Sequence, residues 1–219
     1  MIFQTFVVVA LLALAAPFPT PPSTSSLSSP KTIEAGESFD GGNVRFDRGD
    51  GACEGQTESG EDAAVFLLEE GASLSNVVIV YILYSSGWSR PIRGIHCLGS
   101  CTLTNEDDAI TIKQDSGTST ITGGGAKGAD DKVIQHNGGG TVAIDSFCVQ
   151  DFGKLYRSCG NCDDSLAGIN SNYGDTAIFD TDTIDTDNVD SICDTYQGND
   201  NGDEPTKLTS NTSNDYCQF

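Results

Sequence analysis

The sequence predicts an all-β protein built from short strands. No stretch beyond the apolar N-terminus has a sustained helical period, and short β-branched runs alternate with Gly, Asn and Asp turns. A motif containing Asp or Lys also recurs every 22 to 23 residues, at Asp107-Asp108, Asp130–Lys132 and Phe152–Lys154. Short runs fit either an antiparallel sandwich or barrel, or a parallel β-helix with stacked coils. The recurrence favours the β-helix but leaves both architectures open.

Ten runs bounded by turn residues are predicted as strands. They are Ala64–Leu68, Leu74–Val80, Ala109–Ile112, Ser119–Thr122, Lys132–Gln135, Thr141–Ile144, Phe147–Val149, Ala167–Ile169, Thr176–Phe179 and Val189–Ile192. Asp residues nearly alternate with Thr, Ile and Val between Asp180 and Asp190. This pattern fits a calcium-binding β-roll or a solvated face, and the absence of Gly-Gly-x-Gly before each Asp favours the solvated face.

The N-terminal sequence predicts a processed leader. Residues 1–16 carry no charged side chain and end in small residues, which is typical of a secretory signal, although no Lys or Arg precedes the apolar run. A buried N-terminal strand is the alternative. Residues 17–31 are rich in Pro and Ser, as in a leader or linker, so residues 32–219 form one predicted domain. We expect a secreted, extracellular, soluble monomer.

Eight cysteines in a secreted chain predict disulfides, whose connectivity the sequence leaves open. The close pairs Cys97/Cys101 and Cys159/Cys162 could also bind zinc, but an oxidising compartment and the lack of a suitably spaced His argue against it. Asn211-Thr212-Ser213 is a glycosylation acceptor motif, consistent with secretion.

The charge balance excludes two classes of partner. The formal net charge is −21, from 32 acidic and 11 basic residues, so nucleic acid and anionic membrane surfaces would be repelled. Lys132, Lys154 and Arg157 nevertheless lie close together in sequence. A coil of 22 residues would stack the two lysines about 4.8 Å apart and create a local site for an anion. A desolvated lysine could act as a base and Arg157 could bind a carboxylate, whereas the alternative is three solvated surface charges.

Other candidate motifs are weaker. Glu106, Asp107 and Asp108, with Asp130 and Asp131 one coil later, could supply oxygen ligands to calcium or form a solvated turn. The two histidines, His96 and His136, lack a Ser/His/Asp or Cys/His pattern and are predicted to be structural.

Several long motifs resemble the fungal pectate lyases of polysaccharide lyase family 3. They include AVFLLEEGASLSNVVI, GIHCLGSCTLTN, DDAITIKQDSGTSTITGGGAKGADDKVIQHNGGGTV, FGKLYRSCGNC and GINSNYGDTA, and the likeness covers most of residues 36–219. The resemblance implies a right-handed parallel β-helix, secretion, calcium as cofactor and cleavage of polygalacturonate by β-elimination.

The resemblance also implies roles for individual residues. Lys132 matches the catalytic base, and the substrate-binding cations are matched by Lys113, Lys154 and Arg157. Three acids match the calcium-binding cleft: Asp107, Asp108 and Asp131. In the implied reaction, calcium and these cations bind the uronate carboxylate, the lysine takes the C5 proton and the C4 oxygen leaves.

The chain departs from the family pattern in three places, and the first two lie in the calcium half of the site. Arg93 stands where an acid usually precedes GIHC, a segment before Glu106 is missing, and about twenty residues are missing between SCGNC and GINSNYGD. One hypothesis is that some of these departures are errors in the gene model, which sequencing the transcript would test. If the departures are real, the alternative function is a secreted glycan-binding or host-interaction protein on the same scaffold, with impaired catalysis.

Overall fold

The computed structural model describes residues 4–9, 21–49, 61–79, 83–85, 98–100, 108–123, 125–158, 165–180, 182 and 184–219. The strands are β1 (Gln4–Val9), β2 (Thr24–Ser26), β3 (Lys31–Ile33), β4 (Ser38–Asp47), β5 (Phe66–Leu68), β6 (Ser73–Ile79), β7 (Leu83–Ser85), β8 (Leu98–Ser100), β9 (Asp108–Ile112), β10 (Thr118–Thr122), β11 (Gly125–His136), β12 (Gly140–Asp145), β13 (Cys148–Arg157), β14 (Ser165–Asn170), β15 (Thr176–Phe179), β16 (Cys193–Gln197), β17 (Thr206–Ser210) and β18 (Cys217–Gln218). Two 3-10 helices span Glu61–Ala63 and Ser171–Tyr173. In these ranges, no helix has the length and hydropathy of a membrane span.

The strands form sheets of ten, five and three strands, and every described pair is parallel except β16 with β17. Along the chain, β9, β11 and β13 belong to the ten-stranded sheet, whereas β10 and β12, which lie between them, belong to the five-stranded sheet. Each coil therefore crosses from one sheet to the other and returns one level higher. The predicted parallel β-helix is confirmed, and the antiparallel alternative is wrong.

A ladder of buried side chains runs through the ten-stranded sheet. Ile110, Ile134, Tyr156, Ala167 and Cys193 are successive register partners on five neighbouring strands. Each is at most 2 % exposed. Burial of a large apolar side chain contributes roughly 1.5–3 kcal/mol, so this column helps to hold successive coils in register. On the first four of these strands, the same register aligns the polar residues two positions earlier: Asp108, Lys132, Lys154 and Ser165.

Nine of the ten predicted strands overlap observed strands. Val189–Ile192 is wrong, because the strand begins only at Cys193. Ser191 Oγ donates to Asp194 Oδ1 at 2.5 Å and Ile192 N donates to Asn211 Oδ1 at 3.1 Å. Local side-chain bonds of this kind stabilise turns in competition with a strand ladder. The described residues of the Asp-rich segment before it also form no strand, and Asp180, Asp182, Asp185, Asp187 and Asp190 are exposed.

The N-terminus joins the β-helix earlier than the predicted domain boundary. Thr24–Ser26 lies within the Pro/Ser-rich segment 17–31, yet it pairs in parallel with Arg45–Asp47. Arg48 fixes this segment, because its Nε donates to Leu27 O at 3.1 Å and its Nη2 to Ser28 O at 3.4 Å. These backbone contacts give the second half of the segment a place in the fold despite its polar composition.

Strand β1 occupies a position that the coils leave open. Only residues 158–164 lie between β13 and β14, and these two strands pair directly in the ten-stranded sheet. In the five-stranded sheet, β1 lies between β12 and β15 and is parallel to both. This is the place where the resemblance to the pectate lyases implies that about twenty residues are missing after SCGNC. In the intact chain, the segment predicted as a signal peptide contributes this strand.

Candidate active site

The central strands align two lysines across the ten-stranded sheet. Lys132 on β11 is in register with Lys154 on β13 and with Asp108 on β9. The stacking predicted from the 22-residue spacing is confirmed. A register shift lies between Ala129 and Lys132, so β11 has two residues here where β13 has one. Such bulges redirect side chains, and this one contains Asp131.

The carboxylate of Asp131 holds the three predicted cations together. Its Oδ2 lies 2.6 Å from Nζ of Lys132 and 3.6 Å from Nη1 of Arg157. Its Oδ1 lies 3.2 Å from Nζ of Lys154. Lys132, Lys154 and Arg157 are 2 %, 4 % and 8 % exposed, so they are not the solvated surface charges of the alternative interpretation. We call these four residues the Asp131 cluster.

The electrostatics keep Asp131 ionised. Partial burial raises the pKa of this carboxyl group, but the hydrogen bond and charge of Lys132 lower it, as do those of Lys154. The two ammonium groups outweigh the burial, and the pKa of Asp131 lies below its usual value. With Asp131 ionised, the cluster is therefore a set of ion pairs, and Lys132 contacts the Asp131 carboxylate.

Lys113 lies apart from this cluster along the ladder. It directly follows β9, which ends at Ile112. Since Lys132 is in register with Asp108, Lys113 lies five positions along the chain from the level of Lys132. Five positions correspond to roughly 16 Å along a strand. Its Nζ makes an ion pair with Glu61 at 3.8 Å, and the lysine side chain is 38 % exposed. An extended ligand, rather than a single small anion, could reach both places.

The acidic half of the predicted site is described only in part. Asp107, Glu106 and Arg93 lie outside the described residues, and for Asp108 only the backbone position is described. Among the described residues, no group of three His, Cys, Asp or Glu side chains could hold a metal ion. Asp131 has the hard oxygen ligands that calcium takes, and the backbone of Asp108 lies beside Lys132 on the adjacent strand. Asp131 therefore supplies one carboxylate of the kind that calcium takes, and the rest of the predicted ligand set lies outside the described side chains.

A buried polar network lies next to the cluster, and sequence reasoning missed most of it. His136 Nδ1 and the Tyr156 hydroxyl are 2.7 Å apart, and Ser158 Oγ donates to Asp175 Oδ2 at 2.7 Å. Asp175 Oδ2 also accepts from the backbone N of Asn170 at 3.1 Å. Tyr156 and Ser158 flank Arg157 on β13, so the network supports the strand that carries the cation. No spacing rule pairs Ser158 with Asp175; only the stacking of coils does.

Burial sets the protonation states in this network. Burial lowers the pKa of His136 to about 4, against a smaller opposing effect of its bond to the Gly139 carbonyl. The imidazole is therefore neutral near pH 7, which agrees with the structural role predicted for it. Burial raises the pKa of Tyr156 well above its usual value, and the charge of Asp175 adds to this rise. Both groups act as neutral hydrogen-bonding residues.

Of the cysteines, Cys193 and Cys217 form a disulfide. The close pairs Cys97/Cys101 and Cys159/Cys162, together with Cys53, lie outside the described residues. The disulfide joins β16 of the ten-stranded sheet to β18 of the five-stranded sheet.

Comparison with known proteins identifies the family of this chain. The family model described as pectate lyase matches residues 15–203. A probable pectate lyase D of Aspergillus fumigatus is 46 % identical, with 98 % of this chain and 94 % of the relative covered. Pectate lyase H of Emericella nidulans is also 46 % identical, with coverage of 92 % and 83 %.

Solved structures share the fold at lower identity. The catalytic domain of pectate lyase PelI from Erwinia chrysanthemi has a TM-score of 0.54 at 21 % identity, with 90 % of this chain and 94 % of that chain covered. PelI in complex with tetragalacturonic acid has a TM-score of 0.57 at 21 % identity, with coverage of 90 % and 67 %. The family model and the fungal relatives cover nearly the whole sequence, and this chain belongs to the pectate lyase family.

Proposed function

We propose that this chain is a secreted, monomeric, calcium-dependent lyase that cleaves polygalacturonate by β-elimination. The observation that carries the proposal is the convergence of Lys132, Lys154 and Arg157 on the single carboxylate of Asp131. Polygalacturonate carries one carboxylate on each sugar, so the substrate is a polymer of the same anionic group. Family membership and the tetragalacturonic acid found in a PelI complex support this substrate class.

The cations of the cluster would bind and orient a uronate. The guanidinium of Arg157 offers a planar pair of donors that suits a carboxylate, and Lys154 adds a second positive charge. A uronate carboxylate is chemically equivalent to Asp131, and it can therefore take over contacts that Asp131 makes in the free protein. Because Lys154 and Arg157 are nearly buried, these contacts would form with little competition from water.

Lys132 would move the proton. In β-elimination a base removes hydrogen from C5 of the uronate, a C4–C5 double bond forms, and the C4–O bond breaks with its electron pair on the leaving oxygen, which is then protonated. A lysine acts as a base only when neutral, and contact with Asp131 opposes its deprotonation. Loss of the 2.6 Å contact between Asp131 and Lys132 on substrate binding would therefore prepare the base.

Calcium would be held by Asp107, Asp108 and Asp131. Bound there, the ion supplies positive charge that acidifies the proton next to the uronate carboxylate. Asp131 would then belong to both halves of the site, as a calcium ligand and as the partner of the three cations.

The absorbance of unsaturated uronide products tests the proposal. Purified full-length chain is incubated with polygalacturonate, with and without a calcium chelator, and ultraviolet absorbance is followed. We expect absorbance that the chelator abolishes, and Lys132→Met should lower kcat by about 10²–10⁴-fold. Lys31→Met is the matched control, because Lys31 packs over the ring of Phe39 at 4.8 Å in another part of the sheet.

The variants separate an enzyme from a glycan-binding protein. If folded wild-type chain binds polygalacturonate but forms no unsaturated product, the lyase assignment is wrong and the scaffold serves binding. If Lys132→Met retains wild-type kcat, Lys132 is not the base. Lys154→Ala should raise KM if the chain is a lyase, and it should raise Kd for polygalacturonate if the chain only binds the polymer.

A further inference from the structure

The C-terminal end of the ten-stranded sheet is an open strand edge. Strand β17 (Thr206–Ser210) is the last strand of that sheet and pairs only with β16 among the described residues. Most of its residues are exposed, and Leu208 is 51 % exposed. Exposed edge strands present unpaired backbone groups to other chains, and proteins commonly protect them.

Asn211 lies immediately after this edge strand, in an exposed turn with a backbone φ of 46°. Its backbone N donates to Cys193 O at 3.1 Å, and its side-chain Oδ1 accepts from Ile192 N at 3.1 Å. The first bond fixes the backbone of the turn, and the second fixes the side-chain amide. Within the described part of the chain, no hydrogen bond engages Nδ2 of Asn211, which is the atom that an N-linked glycan would use.

The residues after Asn211 complete an acceptor motif. Asn211-Thr212-Ser213 is the sole Asn-x-Ser/Thr sequence with a non-proline middle residue in the 219 residues. Thr212 and Ser213 are exposed, and the Thr212 hydroxyl donates to Ser210 O at 2.8 Å. The motif therefore lies on the surface at the end of an unprotected edge, where a large hydrophilic group meets no packed neighbour.

We propose that Asn211 carries an N-linked glycan that shields the β17 edge. In the modification, Nδ2 bonds to the anomeric carbon of a diphosphate-activated oligosaccharide, the bond from that carbon to the diphosphate breaks, and Nδ2 loses one proton. The Oδ1 acceptor remains, so the bond from Ile192 N is compatible with the modified residue. This proposal rests on the secretion included in the proposed function, because the modification takes place in the secretory pathway.

Enzymatic removal of N-glycans from the protein that is secreted by a host expressing the full coding sequence tests the site. Wild-type protein from a secreting fungal host should lose the mass of one glycan on treatment, as measured by intact mass. Ser213→Ala should show no loss, although every hydrogen bond of Asn211 is retained. Thr212→Ala is the matched control, since it removes a neighbouring hydroxyl and leaves the acceptor motif intact, and it should behave as wild type.

The possible results distinguish a failure of glycosylation at Asn211 from a failure of secretion, which glycosylation requires. Protein in the medium with unmodified Asn211, or a glycan that survives Ser213→Ala, would overturn the site while secretion stands. Protein absent from the medium overturns both. For the shielding role, concentrated Ser213→Ala should self-associate at least several-fold more than wild type in sedimentation, and adding Leu208→Lys should reverse this. Equal association of Ser213→Ala and wild type would overturn the shielding role.

Discussion

Lys132 and Lys154 are register partners on adjacent parallel strands, and their ammonium groups share the carboxylate of Asp131 at 2.6 and 3.2 Å. Like charges brought this close repel each other, and the carboxylate between them compensates for that repulsion. The pairing makes Asp131 the residue on which both the stability and the chemistry of the cluster depend.

Asp131→Asn should therefore destabilise the fold and impair the proposed activity. The variant keeps the shape of the side chain but leaves three nearly buried cations without this carboxylate. We expect a loss of about 1–3 kcal/mol in unfolding free energy, less than for a fully buried pair because the Asp131 side chain is 32 % exposed. Urea denaturation measures it, with exposed Asp185→Asn as the control. Unchanged stability in both variants would mean that the cluster contributes nothing to the fold.

The buried neutral His136 should make stability depend on pH. Its folded-state pKa of about 4 lies below the usual value of 6.5, so the unfolded chain binds more protons between these values. Stability from this group is complete above pH 6.5 and falls by up to about 3 kcal/mol as the pH drops to about 4.

Unfolding free energies of wild type and His136→Gln between pH 7.5 and 4.5 check this expectation. The difference between the two proteins isolates the histidine from acids that titrate in the same range. The wild-type curve should fall more steeply with decreasing pH than the curve of the variant. Parallel curves would show that His136 gains no proton on unfolding.

The Cys193–Cys217 disulfide should stabilise the C-terminal coil. It spans 24 residues and joins the ten-stranded sheet to the five-stranded sheet. Closing a loop of this length in the unfolded chain corresponds to about 3 kcal/mol in the chain-entropy model. Cys193→Ala with Cys217→Ala should lower the unfolding midpoint, and a mild reductant should affect wild type more than the double variant. Equal midpoints would contradict a stabilising role.

Gly138 should tolerate no side chain. A Cβ at this position would overlap the backbone O of Gln114 in the coil below, so the stacked backbones would have to separate. Gly138→Ala should cost well over 1 kcal/mol, as overpacking of a rigid site does. Gly36→Ala is the control: it has φ of 75° but open space, so it should cost only about 1 kcal/mol of backbone strain. Thermal unfolding ranks the two, and a larger loss for Gly36→Ala would contradict the packing argument.

Removal of the N-terminal segment should weaken the five-stranded sheet. Strand β1 pairs with β12 on one side and with β15 on the other. In a chain that starts at Pro17, β12 and β15 would therefore each lose the neighbouring strand on that side. We expect the shorter chain to unfold at a lower temperature than the full chain in a differential scan. Val7→Pro in the full chain should reproduce part of the loss, because proline removes a ladder hydrogen bond in a central strand. Identical transitions for all three proteins would show that β1 adds no stability.

Much of the site could be predicted from residue spacing once the coil length was known. A repeat of 22 residues places Lys132 opposite Lys154, because parallel strands that are one coil apart align residues at that separation. The spacing did not predict that Asp131 would bind both lysines, since this depends on the bulge between Ala129 and Lys132. Nor did it predict the bond of Ser158 to Asp175, which joins different coils.

The sequence by itself determined the short strands and the three cations of the cluster, because periodicity and motif spacing are local properties of the chain. The parallel β-helix followed from the resemblance to the pectate lyases, since the strand pattern alone also fitted an antiparallel sandwich or barrel. Tertiary structure alone decided which carboxylate pairs with those cations, that Gln4–Val9 lies between β12 and β15, and that Asn211 ends an open edge. These relationships depend on which coils become neighbours and on single-residue shifts in register. A shift of one residue changes which side chains meet, and local composition does not encode it.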